Sequence, residues 1–133
     1  MRSTTETENP GIDLTIAMGR GTLKAGPGGY LRHHPTGRTL KARYRVFWTS
    51  GWDRFPVTDA DMRADVLVLH LFDEDMYPIS TLLVPVKNLR ALWASRVQSD
   101  GKRAVFYRHE LRAIPGAREV GAAARRTIKR IAA

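Results

Sequence analysis

The sequence predicts an α+β fold: a mainly antiparallel sheet of about five strands, one mid-chain helix and a basic amphipathic helix at the C-terminus. Three observations carry this expectation. Strand-length runs, apolar or alternating, recur between Gly- and Pro-rich breaks. Residues 87–97 and 117–132 space their apolar residues at helical intervals. The order is strands, helix, strand, helix, which is not the strict alternation of a doubly wound parallel sheet. A chain of 133 residues suffices for one core. Residues 11–133 therefore read as a single domain behind a disordered leader at 1–10, which is poor in apolar residues and ends at Pro10-Gly11.

Taken in order, IDLTIAM (12–18) alternates Ile12, Leu14, Ile16 and Met18 with polar or small residues, the pattern of a half-buried strand. GRGTLKAGPGGY (19–30) holds five glycines and a proline in twelve residues, so it reads as a loop with room for a short strand at TLKA. His33-His34 falls in a Pro- and Gly-flanked loop. TLKARYRVFWT (39–49) is the second strand, and SGWDRFPVTDADMR is irregular, with a helical turn over 58–64. ADVLVLHLF (64–72) is apolar on both faces and rich in branched residues, as a doubly covered central strand is. DEDMYPI then suits a hairpin loop before STLLVPV (80–86), where Pro85 places the strand end near a sheet edge. Leu89, Leu92, Trp93 and Val97 mark the mid-chain helix. Asp100-Gly101 is a turn, AVFYRHEL (104–111) a strand, and Pro115-Gly116 the break before the last helix.

The charge balance is the unusual quantity. Lys and Arg number 22 against 13 Asp and Glu, a net +9, which concentrates polyanions around the molecule whatever its fold. Seventeen of the cations are Arg; with abundant Ala and Gly this reads as the imprint of a GC-rich genome, bacterial or phage. The planar guanidinium also suits phosphate. With no cysteine, disulfides, thiolate metal sites and cysteine nucleophiles are excluded. The N-terminus lacks the apolar segment of a signal peptide, and the longest apolar run, VLVLHLF, is far short of the roughly 20 residues of a membrane helix. A cytoplasmic protein with no membrane partner is expected.

Two zones point to phosphate. In the strand at 39–49, Lys41, Arg43 and Arg45 share one face at a spacing of about 6.6–7 Å, while Leu40, Ala42, Tyr44, Val46 and Trp48 share the other. From Arg20 to Arg45 there are seven cations and no acid. In the C-terminal helix, Val120, Ala124, Ile128 and Ile131 form an apolar stripe, with Arg118, Arg125 and Lys129 opposite and Arg126 and Arg130 on the flank. The expectation is a small basic nucleic-acid-binding protein, for DNA or RNA, that contacts phosphates and needs no cofactor. The alternative from another class is a phage or mobile-element structural or accessory module whose basic helix meets an acidic protein partner. Of the aromatics interleaved with the cations, Phe47 is on the cationic face, while Tyr44 and Trp48 are assigned to the core.

Seven of the thirteen acids, Asp53, Asp59, Asp61, Asp65, Asp73, Glu74 and Asp75, lie between 53 and 75. If 65–72 pairs antiparallel with 80–87, Asp65 stands opposite Lys87. An Asp opening one strand and a Lys closing the next resembles the PD-(D/E)xK nucleases, but Pro85 stands where that pattern has its second acid. The resemblance implies an atypical or degenerate Mg-dependent nuclease with Asp65 and Lys87 in its site. No zinc-ligand spacing occurs among the four histidines. Gly21–Gly26 has the gap of a phosphate loop but Pro27 in place of its lysine, and Gly19-Arg20-Gly21 lacks the third glycine of a dinucleotide fingerprint.

Overall fold

The computed structural model of the chain describes residues 10–19, 21–46, 54–97 and 99–121. Among them the elements run α1 (Pro10–Gly19), β1 (Leu23–Ala25), β2 (Tyr30–His33), β3 (Thr39–Val46), β4 (Arg54–Thr58), β5 (Val66–Phe72), β6 (Pro78–Pro85), α2 (Val86–Arg96), β7 (Arg103–Tyr107), α3 (Arg108–Arg112) and β8 (Arg118–Gly121). Single 3-10 turns occur at Pro27–Gly29 and Asp61–Arg63. The content is α+β with a mostly sheet core. Six strands form one mixed sheet in the order β1-β2-β3-β5-β6-β8, and β4 pairs with β7 in a separate two-stranded ribbon. Among the described residues β3 and β5 are the only parallel neighbours; the other pairs are antiparallel.

Alternation along each strand sends side chains to two different cores. On one face Leu23, Leu31, Leu40, Ala42, Val66, Val68, Leu83 and Val120 pack under α1, which contributes Met18. On the other, Leu67, Leu69, Leu82 and Val84 meet Phe55 and Val57 of β4, Ala104 and Phe106 of β7, Val86 and Leu89 of α2, and Leu111 of α3. Every residue of β5 is buried, as its two-sided apolar run requires. β8 pairs only with Ser80–Leu83, so Pro85 lies beyond the β6–β8 ladder, where its missing N–H costs no hydrogen bond. Trp93 Nε1–H donates to the Val57 carbonyl (2.8 Å) and ties α2 to the ribbon.

Several expectations are corrected. Among the described residues the main sheet is mixed and holds six strands where a mainly antiparallel one of about five was expected, and a separate two-stranded ribbon stands beside it. Residues 12–18 are helical: Gly11, Thr15 and Met18 are buried at intervals of four and three, and Ile16 is turned outward. The Thr15 hydroxyl donates to the carbonyl of Gly11 one turn back (2.7 Å). A period-2 reading and a period-3.6 reading fit this short run equally, and only the sheet face awaiting cover chooses between them. β2 and β4 replace the loop around His33 and the irregular stretch before Thr58. The run 104–111 divides, β7 giving way to α3 at Arg108.

The predicted C-terminal helix does not begin at 117. Arg118–Gly121 is a strand, because Val120 enters the core beside Leu83 while Glu119, on the opposite face, reaches Arg108. Residues 122–133, including Arg125, Arg126, Lys129 and Arg130, lie outside the described residues, as does the leader up to residue 9.

Candidate functional site

Pairing of β1, β2 and β3 builds a cationic face. Lys24 on β1 stands directly opposite Arg32 on β2, and Tyr30 on β2 opposite Lys41 on β3. Leu23, Leu31 and Leu40 turn to the core under α1, so Lys24, Tyr30, Arg32, Thr39, Lys41 and Arg43 share the other face. No strand position of that face carries an acid. Lys24 and Arg32 are exposed and, among the described residues, without an ion-pair partner. Like charges directly opposite in a ladder are destabilising, by a few tenths of a kcal/mol to about 1 kcal/mol.

The two described side chains of the predicted strand motif are held from within. Lys41 Nζ donates to the Gly28 carbonyl (2.7 Å) and lies 4.5 Å from the centre of the Tyr30 ring. Burial first, and the Arg43 charge second, hold its ammonium below the usual lysine value. Arg43 Nε donates to both carboxylate oxygens of Asp61 (2.9 and 3.1 Å), and its Nη2 to the Thr58 hydroxyl (3.2 Å). Asp61 is fully buried and also accepts the Thr58 N–H (2.9 Å). The 3-10 turn at Asp61–Arg63 is thus pinned to β3 through Arg43. Arg45 continues the strand opposite Leu71; its side chain is outside the described residues.

Asp61→Ala removes the guanidinium's partner and the acceptor of the half-buried Thr58 N–H together. It is expected to lower stability by about 2–3 kcal/mol, read as a lower denaturant midpoint at unchanged slope; a midpoint equal to the parent's would contradict this role.

Beyond the start of β3 lies a small cleft of about 170 Å³ lined by Arg38, Ala64, Asp65, Pro85, Lys87 and Arg90. Three cations from two parts of the chain converge there on one acid. Asp65 does not stand opposite Lys87: the β5–β6 register sets Val66 against Pro85, and the Val86 N–H donates to the Asp65 carbonyl (3.0 Å). Its carboxylate accepts from the Thr39 N–H (2.8 Å) and hydroxyl (3.3 Å), closing the start of β3 on β5. Among the described residues no three His, Asp or Glu side chains are grouped to hold a metal ion.

Arg118, the remaining described candidate, is exposed on β8, at the opposite edge of the sheet from β1. Two residues from Val120, it shares the α1 side and is not brought together with Lys41. His33 is buried on β2 with Nδ1 at 2.8 Å from the Thr36 hydroxyl. Burial, then Arg38 and His34, hold its imidazole below the usual histidine value. The strand alternation led to Lys41 and Arg43, whereas the more accessible Lys24 and Arg32 come together only through strand pairing, and Arg38, Lys87 and Arg90 only around the cleft. The trace of Lys24, Arg32 and Arg38 in the sequence is the acid-free run from Arg20 to Arg45. No protein-family model matches the sequence, and no curated protein matches it.

Proposed function

We propose that the protein binds nucleic acid through its phosphates, on the face formed by β1, β2 and β3 and onward to Arg38, Lys87 and Arg90. The observation that supports this most directly is the Lys24–Arg32 cross-strand pair, on a face whose β1–β3 strand positions carry no acid. A folded chain keeps two exposed like charges opposite each other at a cost, and a phosphate lying between them turns that cost into attraction. Lys41 extends the row, Arg43 supplies a fixed guanidinium beside it, and the net +9 steers polyanions toward the molecule. Arg45, Arg118 and the basic C-terminal residues Arg125, Arg126, Lys129 and Arg130 belong to the same proposal by charge. Phosphate contacts position without reading sequence, so binding is weakly sequence-specific.

The test is the double variant Lys24→Ala/Arg32→Ala, measured by fluorescence anisotropy on labelled oligonucleotides over a salt series. Affinity should fall by about tenfold or more and the slope of log K against log salt should shrink by about 2, one for each lost phosphate contact. The variant should melt no lower than the parent, because a like-charge pair has been relieved. Unchanged affinity and slope would contradict the proposal.

A further inference from the structure

We infer that the outer face of the β4–β7 ribbon is a platform on which unpaired bases stack, so that the nucleic acid this protein prefers is single-stranded; the inference rests on the phosphate-binding reading. Register settles which side chains the ribbon turns outward. Phe55, Val57, Ala104 and Phe106 are buried against the sheet. The opposite face is therefore Arg54, Pro56 and Thr58 on β4, set against Tyr107, Val105 and Arg103 on β7. Two arginines and no acid occupy these six positions. Val105 is 37% and Tyr107 40% exposed.

At one end of this face the rings of Tyr107 and His109 lie stacked, with centroids 5.6 Å apart and planes within 17°. Arg54 stands directly across the ladder from Tyr107. At the other end, Arg103 opens onto a cleft of about 340 Å³ between ribbon and sheet, lined also by Arg43, Tyr44, Phe55, Pro56 and Thr58. Such a volume lies within the range of small-ligand sites, roughly 300–1,000 Å³. Tyr44 is 39% exposed there, with its ring edge-on to Phe72 at 5.9 Å, and is not the core residue its strand position predicts.

Arg43 joins the two regions. It follows Lys41 on the cationic face, and it lines the cleft with Nε and Nη2 already held by Asp61 and Thr58. A backbone carried on Lys24, Arg32 and Lys41 thus reaches a fixed guanidinium, then Arg103, then an exposed aromatic pair. Aromatic surface alternating with cations is how non-specific single-strand binders hold a strand, each base–aromatic stack adding about 1–3 kcal/mol. In a duplex the base faces are hidden in the stack, so the platform discriminates by strandedness rather than by sequence.

The experiment compares the full chain and two variants on labelled oligo(dT) and on a hairpin duplex of matched charge. Tyr107→Ala removes the ring. Val105→Glu sets an acid in the middle of the platform without touching Tyr107, whose own backbone opens α3. The parent should bind oligo(dT) more tightly than the duplex. Each variant should weaken oligo(dT) by about tenfold or more, while Tyr107→Ala leaves duplex affinity and the salt slope unchanged. Equal loss on both substrates, no loss with either variant, or a parent that prefers the duplex would overturn the platform while leaving phosphate binding in place. Absence of any binding by the parent would overturn both readings.

Discussion

Replacing Glu119 with alanine is expected to destabilise the protein by about 3–5 kcal/mol. The cost arises at its partner. Arg108 is 2% exposed, and its Nε and Nη2 both donate to one oxygen of Glu119 (2.9 and 2.7 Å), with a further bond from Nη2 to the Ser80 hydroxyl (2.6 Å). Its Nη1 is already buried without a hydrogen-bond partner, with the guanidinium 5.9 Å from the centre of the Phe55 ring. Only the Ser80 hydroxyl and the Phe55 ring remain beside the charge once the carboxylate goes, and a buried cation without its anion is among the most costly defects a core can carry. Glu119 also forms an ion pair with Arg112 (3.3 Å), so the same change loosens α3 from β8. Denaturant unfolding should show the loss at once. Glu119→Gln, which keeps an acceptor but not the charge, should lie between parent and alanine. An alanine variant within about 1 kcal/mol of the parent would contradict the assignment of Glu119 as the partner of the buried Arg108 guanidinium.

The second large effect is a loss of stability in mild acid. His70 sits in β5 under α1, fully buried, with Nε2 2.6 Å from the Thr15 hydroxyl and Nδ1 2.7 Å from the Thr81 hydroxyl. Thr15 spends its one hydrogen on the Gly11 carbonyl, so toward the ring it accepts, and the ring proton is on Nε2. Thr81 then donates to Nδ1. This arrangement is complete with a neutral imidazole. Burial is the main reason that its pKa falls from 6.5 to about 4, and the Arg108 charge adds to it.

Between those values the unfolded chain holds a proton that the folded chain does not, so the stability from His70 is intact above about pH 6.5 and is lost as pH falls toward 4. From pH 7 to 5 the decline should be about 2 kcal/mol. The shift at His33 has the same sign and adds to the decline. Glu110 acts in a different window. Its bond to Arg96, with help from the Tyr107 N–H, lowers it from 4.5 to about 2, so its contribution is lost only as pH drops below 4.5. Unfolding of the parent and of His70→Gln at pH 7 and 5 separates the terms. The variant's decline should be clearly smaller; equal declines would show that His70 is not held neutral.

What could be read in advance follows from how far apart the determining residues lie. β5 was legible because a run apolar on both faces has few places to go. The β5–β6 hairpin was legible because its loop acids serve their own turn, Asp73 accepting the Asp75 and Tyr77 N–H groups. The α2 stripe of Leu89, Leu92 and Trp93 was legible for the same local reason. α1 and β8 were not, since both are settled by distant groups: the uncovered sheet face in one case, Arg108 and the edge of β6 in the other. The site divides the same way. Alternation located Lys41 and Arg43 on one face, yet no local rule showed that Asp61, eighteen residues on from Arg43, would claim the guanidinium. Likewise Lys24 meets Arg32 only because β1 and β2 pair in one particular register.

The measurement that bears most directly on phosphate binding is the salt dependence of affinity for single- and double-stranded DNA and RNA, by fluorescence anisotropy on the full chain, with samples resolved on a gel with and without Mg²⁺. The account predicts binding near physiological salt that weakens linearly in log K against log salt, with a slope of several units for several phosphates, and intact oligonucleotides throughout. Cleavage would bring Asp65 and Lys87 back as a site. An affinity that is absent, or indifferent to salt, would contradict the account and give the cationic face to an acidic protein partner.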